Sequence, residues 1–165
     1  MPVIRKSLPS DWDEIMAIYR RARSFMKETG NPTQWGDSFP PEDLIREDIR
    51  QGLGYVLEEE GRIQAVFAMI PGEDPTYQVI RGAWLNEEPY CAVHRVASRG
   101  ERPGAAGECL KWCLEQCGNV RIDTHDDNIP MQRVLDKAGF TKCGRIWIED
   151  GTPRVAYQKI LENKE

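Results

Sequence analysis

The sequence lacks any apolar run near the roughly 20 residues that a membrane-spanning helix requires, so no membrane partner is expected. It also lacks a basic block. Lys and Arg number 22 against 27 Asp and Glu, for a net charge of -5, which leaves no electrostatic footprint for nucleic acid. Charge precedes any apolar stretch in the opening MPVIRKSLPSDWDE, the reverse of a signal peptide, and the cytoplasm is the expected location. Cysteine is sparse and odd in number, at five. Cys109, Cys113 and Cys117 fall four apart on one helical pattern with Ala106, Leu110 and Leu114, which reads as a buried apolar face. A disulfide framework and a zinc site, which favours closer Cys pairs, are both excluded on this reading, and no metal is expected.

What is present reads as one domain over residues 1–165, since 165 residues suit a single core. VIRKS (3–7) is a short strand. Ser10 then caps a helix on which Trp12, Ile15, Ile18, Tyr19, Ala22 and Phe25 recur at helical spacing, and Gly30 ends it. A polar loop leads to a second helix opened by Pro41. GYVLEEE (54–60) and RIQAVFAMI (62–70) make a hairpin turning at Glu60-Gly61. Residues 71–89 show no periodicity and read as irregular. CAVHRVA (91–97) is a strand, Gly104–Cys117 a helix, VRIDTH (120–125) a strand and IPMQRVLDKAG (129–139) a helix. A final hairpin turns at Asp150-Gly151. The order β-α-α-β-β-β-α-β-α-β-β predicts an α+β fold, with a mixed, mostly antiparallel central sheet and helices on both faces.

The stretch CAVHRVASRGERPGAAGECLKWCLEQ carries the chemistry. A strand runs through a loop holding Gly100, Gly104 and Gly107 directly into a helix. Small residues there let backbone N–H groups approach phosphate oxygens, and the helix N-terminus adds partial positive charge. A Gly-rich tight turn would look the same. No Gly-Lys-Ser/Thr follows, so it is not a Walker loop, and the glycine spacing is not that of the dinucleotide fold.

VASRGERPGAAG resembles the acetyl-CoA-binding segment of the GNAT superfamily of N-acetyltransferases, Val-x-Pro followed by Gln/Arg-x-x-Gly-x-Gly/Ala. Val96 matches the strand valine, Gly104 the first small residue and Ala106 the second. Glu101 stands where the family usually has Gln or Arg, and Ser98 where proline is common. Downstream, NIPMQRVLDKAGF is similar to the family's Asn-x-x-Ala to Gly-Phe segment. Asn128 matches the asparagine that touches the cofactor, and Leu135 stands in the place of the tyrosine acid, so that role is not carried over.

The resemblance implies acetyl-CoA as cosubstrate. Val96, Arg102, Gly104, Ala105, Ala106, Gly107 and Asn128 are the implied contacts, and an amine the implied acceptor. A non-catalytic acyl-CoA sensor with the same fold is the alternative. Many similar domains form homodimers, and that assembly stays open. For the base, period-2 geometry puts Tyr90, Ala92, His94 and Val96 on one strand face, and Asp123 and His125 on a face of the neighbouring strand. His94, His125 and Asp123 are therefore the candidates as a group. By resemblance, Asp123 stands at the position of a glutamate base in the family's ribosomal-protein acetyltransferases, and Tyr90 at a strand position from which some members supply a base. Phe25, Gln34, Trp35, Trp84 and Tyr157 are the candidate acceptor-side residues.

Overall fold

A computed structural model describes residues 2–161. Its strands are β1 (Val3–Lys6), β2 (Gly54–Glu59), β3 (Arg62–Pro71), β4 (Arg81–Gly82), β5 (Cys91–Ser98), β6 (Asn119–Thr124), β7 (Thr141–Trp147) and β8 (Pro153–Ile160). The helices are α1 (Trp12–Glu28), α2 (Glu42–Arg50), α3 (Ala105–Cys117) and α4 (Ile129–Lys137). All eight strands join one sheet in the order β1-β2-β3-β5-β6-β8-β7-β4. Every pairing is antiparallel except β5 with β6. This is the mixed α+β architecture that the element order predicts. Among the described residues, no helix is long and apolar enough to cross a membrane.

Strand alternation, reset by bulges at Gln64 and at Arg95–Val96, divides the core between the two faces. Leu57, Ala65, Phe67, Val93, Val120, Ile122 and Tyr157 pack under α3 and α4. Val56, Ile63, Val66 and Ala97 point the other way, against Ile15, Ile18, Tyr19 and Ala22 of α1 and Ile45 of α2. On that second face the segment between β3 and β5 folds over the far half of the sheet, where Tyr77, Trp84 and Tyr90 cover Ala92, Ile146 and Ala156. The β2–β3 turn needs positive φ at both central residues. Glu60 at φ 53° and Gly61 at φ 78° supply it, the backbone of a type I′ hairpin.

Three local readings differ from the sequence expectation. A 3-10 turn over Pro9–Asp11 precedes α1, so the helix starts at Trp12 and Asp11, not Ser10, stands before it. β6 ends at Thr124, which leaves His125 beyond the strand. The segment read as irregular contains a 3-10 turn at Pro75–Tyr77 and the two-residue β4. No hydrophobic period announces either element, because only the aromatic rings of that segment enter the core.

Strand β4 fastens this covering segment to the sheet through a glycine pair, Gly82 opposite Gly144. The backbones approach so closely that a Cβ on Gly144 would lie 2.1 Å from the Arg81 carbonyl oxygen, and one on Gly82 would lie 2.3 Å from that of Cys143. Gly144 also has φ 150°, a conformation L-residues rarely adopt. Gly144→Ala should therefore destabilise the fold by roughly 1–3 kcal/mol, or several degrees in Tm by differential scanning calorimetry. Gly107→Ala, in helix α3 with open space around it, should leave Tm unchanged or raise it slightly.

Candidate active site

The site is built around a break in the sheet. Strands β5 and β6 pair only at Cys91 with Val120 and Ala92 with Arg121, and beyond these two rungs they diverge. Three residues past the last rung, β5 bulges. Val66 pairs with Ala97 and Ala68 with His94, so that Arg95 and Val96 together oppose Phe67. Arg95 sits at φ 56°, a conformation that costs a side-chain-bearing residue about 1–3 kcal/mol and persists only where its surroundings enforce it. They do. The Tyr19 hydroxyl donates to the Arg95 carbonyl at 2.8 Å, and the Arg95 guanidinium grips Asp48 through two bonds of 3.0 and 2.8 Å. Helices α1 and α2 thus hold the bulge from one face. The edge of β5 facing β6 is left without a strand partner past Ala92, and an extended ligand carrying amides can add to such an edge.

The loop after β5 meets that open edge. Gly100, at φ 85°, gives way to the Arg21 guanidinium, which would lie 2.3 Å from an added Cβ. Gly104, at φ 76°, stands at the N-cap of α3. The first-turn amides of Ala106 and Gly107 make no backbone bond, as helix geometry requires of the opening turn. An added Cβ on Gly104 or Gly107 would meet nothing within 4 Å. Open donors, open space and a helix N-terminus together fit a pyrophosphate. The Glu101 carboxylate does not intrude on them, because it accepts from Arg62 at 2.7 Å. Arg102 is less free than the sequence suggests. It donates to Glu108 at 2.7 and 2.8 Å and also pairs with Glu59, so the cradle's donors are mainly main-chain amides. Asn128 caps α4, its Oδ1 accepting from the Met131 amide at 3.1 Å, while its Nδ2 donates to Gln34 at 3.0 Å. It joins the α4 start to the α1–α2 loop.

His94 and Asp123 flank the break, and two residues that sequence reasoning missed complete their setting. Asp74 lies between β3 and β4. Its Oδ1 accepts from the Thr76 amide at 2.9 Å and hydroxyl at 2.7 Å, a self-contained Asx turn ahead of Pro75. That leaves Oδ2 to meet His94 Nε2 at 2.7 Å. The Asp74 amide in turn donates to the Tyr90 hydroxyl at 2.8 Å, which is where the structure places Tyr90. The Tyr77 hydroxyl donates to Asp123 Oδ2 at 2.7 Å. The motif Asp-Pro-Thr after a strand was the available signal for Asp74, whereas nothing local marks Tyr77. His125 stands apart from this group. Its Nδ1 accepts from the Asp127 amide at 3.0 Å and its Nε2 faces Thr33 at 3.3 Å, so its ring pins the α1–α2 loop.

The acceptor-side aromatics divide as well. Tyr157 is wholly buried in the core and Trp84 packs under Tyr77. Trp35 sits edge-on to Tyr19, and Phe25 is covered by Arg21. Arg121, sandwiched between Trp84 and Tyr90 with its cationic carbon 4.2 and 4.0 Å from their ring centres, does not pair with Asp123.

Burial raises both carboxylates of the cluster, and their hydrogen bonds set them apart. Desolvation raises Asp123, opposed by the charge of His94 and the Tyr77 hydrogen bond. Desolvation pushes Asp74 up too, but the hydrogen bonds from His94 and Thr76 outweigh it and hold its carboxyl at about 2. With the Asp74 carboxylate on Nε2, the imidazole Nδ1 is left as the free ring nitrogen, without a hydrogen bond among the described residues. The arrangement can attract an ammonium and take a proton from it. No cluster of three or more His, Cys, Asp and Glu suited to a metal occurs among the described residues.

Asp74, ordinarily near 3.8 and about 2 here, contributes roughly 2 kcal/mol of stability. Because its carboxyl is lowered on folding, that stability is present above the unfolded value and is lost as pH falls towards 2. Asp74→Asn should therefore lower Tm at pH 7, and the gap to the parent should close between about pH 4 and pH 2, as followed by circular dichroism.

No protein-family model and no curated protein matches the sequence. Solved structures do. An acetyltransferase of the GNAT family from Streptococcus agalactiae is 34% identical, with 98% of this chain and 96% of that one covered, at a TM-score of 0.90. A putative acetyltransferase from Staphylococcus aureus is 26% identical over 97% of this chain and 99% of its own, at a TM-score of 0.72. A ribosomal-protein-alanine N-acetyltransferase from Brucella melitensis shares the fold at a TM-score of 0.65, with 16% identity and coverage of 96% of this chain and 99% of that one.

Proposed function

The chain belongs to the GNAT family of acetyltransferases, and from that premise we propose that it transfers the acetyl group of acetyl-CoA to an amine, with His94 as the base. The observation that carries this reading is the coincidence, at one break in the sheet, of an open strand edge, an open phosphate cradle and an oriented imidazole.

The amides from Gly104 to Gly107 would hold the pyrophosphate, and the β5 edge around Val96 would hold the pantetheine arm as an added strand. Acetyl-CoA supplies an activated acetyl thioester, from which the acceptor amine takes the acetyl group. The residues of this chain do the rest. The carboxylate of Asp123, with Asp74 behind His94, draws the ammonium into the break. His94 accepts its proton at Nδ1, while Asp74 fixes the Nε2–H tautomer and steadies the imidazolium that forms. Tyr77 holds the Asp123 carboxyl in place. The rival reading, an acyl-CoA sensor without turnover, shares the cradle but gives no use to the Asp74–His94 pair.

Acetyl-CoA should raise Tm by mass action, and Gly104→Asp should abolish that rise, since a carboxylate would enter the cradle. No shift at millimolar acetyl-CoA overturns the CoA site. Free-thiol release across a panel of amines separates enzyme from sensor. With an acceptor in hand, His94→Ala should lower the rate roughly a hundredfold at neutral pH and leave the acetyl-CoA thermal shift intact. The deficit should shrink as rising pH deprotonates the free amine. His125→Ala should remain near the parental rate, because its ring lies outside the cluster.

A further inference from the structure

Beside the same break lies a buried cation that makes no ion pair with a carboxylate among the described residues. Arg154 is only 5% exposed. It sits on β8 one residue past the last rung of the β6–β8 ladder, Thr124 with Val155. It shares a sheet face with Ala156, the partner of Asp123. Sheet spacings place it one strand over and two residues along, about 8 Å from Asp123 between Cα atoms. Its Nη1 donates to the Thr152 hydroxyl at 3.1 Å and the Pro153 carbonyl at 2.8 Å. Nε and Nη2 have no partner among the described residues, and neither is among the side-chain atoms sealed away from solvent without one.

Each nearby carboxylate is engaged elsewhere. Asp150 accepts from Thr152 at 2.9 and 2.6 Å, Asp126 takes both prongs of Arg145 at 2.8 and 3.1 Å, and Asp123 accepts from Tyr77 at 2.7 Å. Taking a guanidinium out of water without a counter-ion costs several kcal/mol. Desolvation lowers Arg154, and the charge of Asp123 is the largest influence holding it up. Arg121, the other deeply buried arginine on this face, differs, because its guanidinium is enclosed between two rings and bonded to the Asn86 carbonyl at 2.7 Å.

The structure assigns to Arg154 the recognition of a carboxylate on the acceptor, so that the substrates are amines that carry a carboxylate close to the amino group, as amino acids do. This rests on the acetyl-transfer reading above. The two free guanidinium donors offer the fork that a carboxylate accepts in bidentate fashion. The ammonium end of the same molecule faces Asp123 and the Asp74–His94 pair. A zwitterion is thus matched at both ends, and an amine without the carboxylate leaves the buried cation unpaired.

The test compares matched pairs, phenylalanine with phenethylamine, lysine with cadaverine and glutamate with 4-aminobutyrate, by acetyl-CoA-dependent thiol release. For at least one of the first two pairs, the amino acid should exceed its decarboxylated counterpart at least tenfold in kcat/KM. The third pair separates a carboxylate near the amine from a distant one, and glutamate should win it if either is used. Arg154→Gln should lower kcat/KM for the amino acid at least tenfold, mainly through KM, and affect the decarboxylated amine far less; Arg154→Lys should restore part of the loss. Circular dichroism controls for folding of the variants, and the comparison within the parental enzyme needs no variant. Equal or better use of the decarboxylated amines overturns the proposal, as does an equal loss on both kinds of amine in Arg154→Gln. Turnover of none of the carboxylated amines also overturns it, and the acetyl-CoA thermal shift then tells whether the transferase reading has failed with it.

Discussion

The bulge at Arg95 is the constraint on which the rest depends. The parallel pairing with β6 ends after Ala92, and three residues on the left-handed turn of Arg95 bulges β5 beside the edge left open inside the sheet. The strain is held locally by Tyr19 and Asp48, so α1 and α2 act on the site without touching a reacting atom. The imidazole of His94 precedes this irregular residue, and the cradle at the start of α3 follows it on the same strand-to-helix run.

A second organising feature is the segment between β3 and β5. It has little regular structure, yet the Gly82–Gly144 contact, the ring of Tyr77 and the Asx turn of Asp74 fix it against the sheet. Its burial of polar groups creates the site's electrostatics. Asp74 is kept ionised by bonds that reward the charge, and Asp123 is raised because desolvation outweighs its one hydroxyl donor. Buried Arg154 feels the charge of Asp123 without bonding to it, which leaves two of its donors free.

The elements with a clear period were legible in the sequence. The Trp12–Phe25 stripe, the 54–70 hairpin and the strand-to-helix pattern through Gly104 gave the α+β class, and the structural relatives agree with it. The strand order was not legible, because the β5–β6 pairing rests on two rungs that no local pattern encodes. His94 and Asp123 were identified as candidates by strand alternation, and they stand on the two strands that border the break, each bonded to a residue of the covering segment. His125 was grouped with them by the same rule, but β6 stops one residue short of it, and alternation has no force beyond a strand's end. Asp74 and Tyr77 act through contacts 20 and 46 residues away, in a stretch whose residues follow no period. Arg154 carries no mark in the sequence, since burial without a partner is a property of the fold alone.

Amide hydrogen exchange with and without acetyl-CoA tests most directly whether the break in the sheet is a cosubstrate site. The account predicts slowed exchange confined to β5 beyond Ala92 and to the amides from Gly104 to Gly107, with the paired strands β1 and β2 unchanged. Unaltered exchange in β5 and the loop at saturating acetyl-CoA, or protection appearing elsewhere on the sheet, would contradict it.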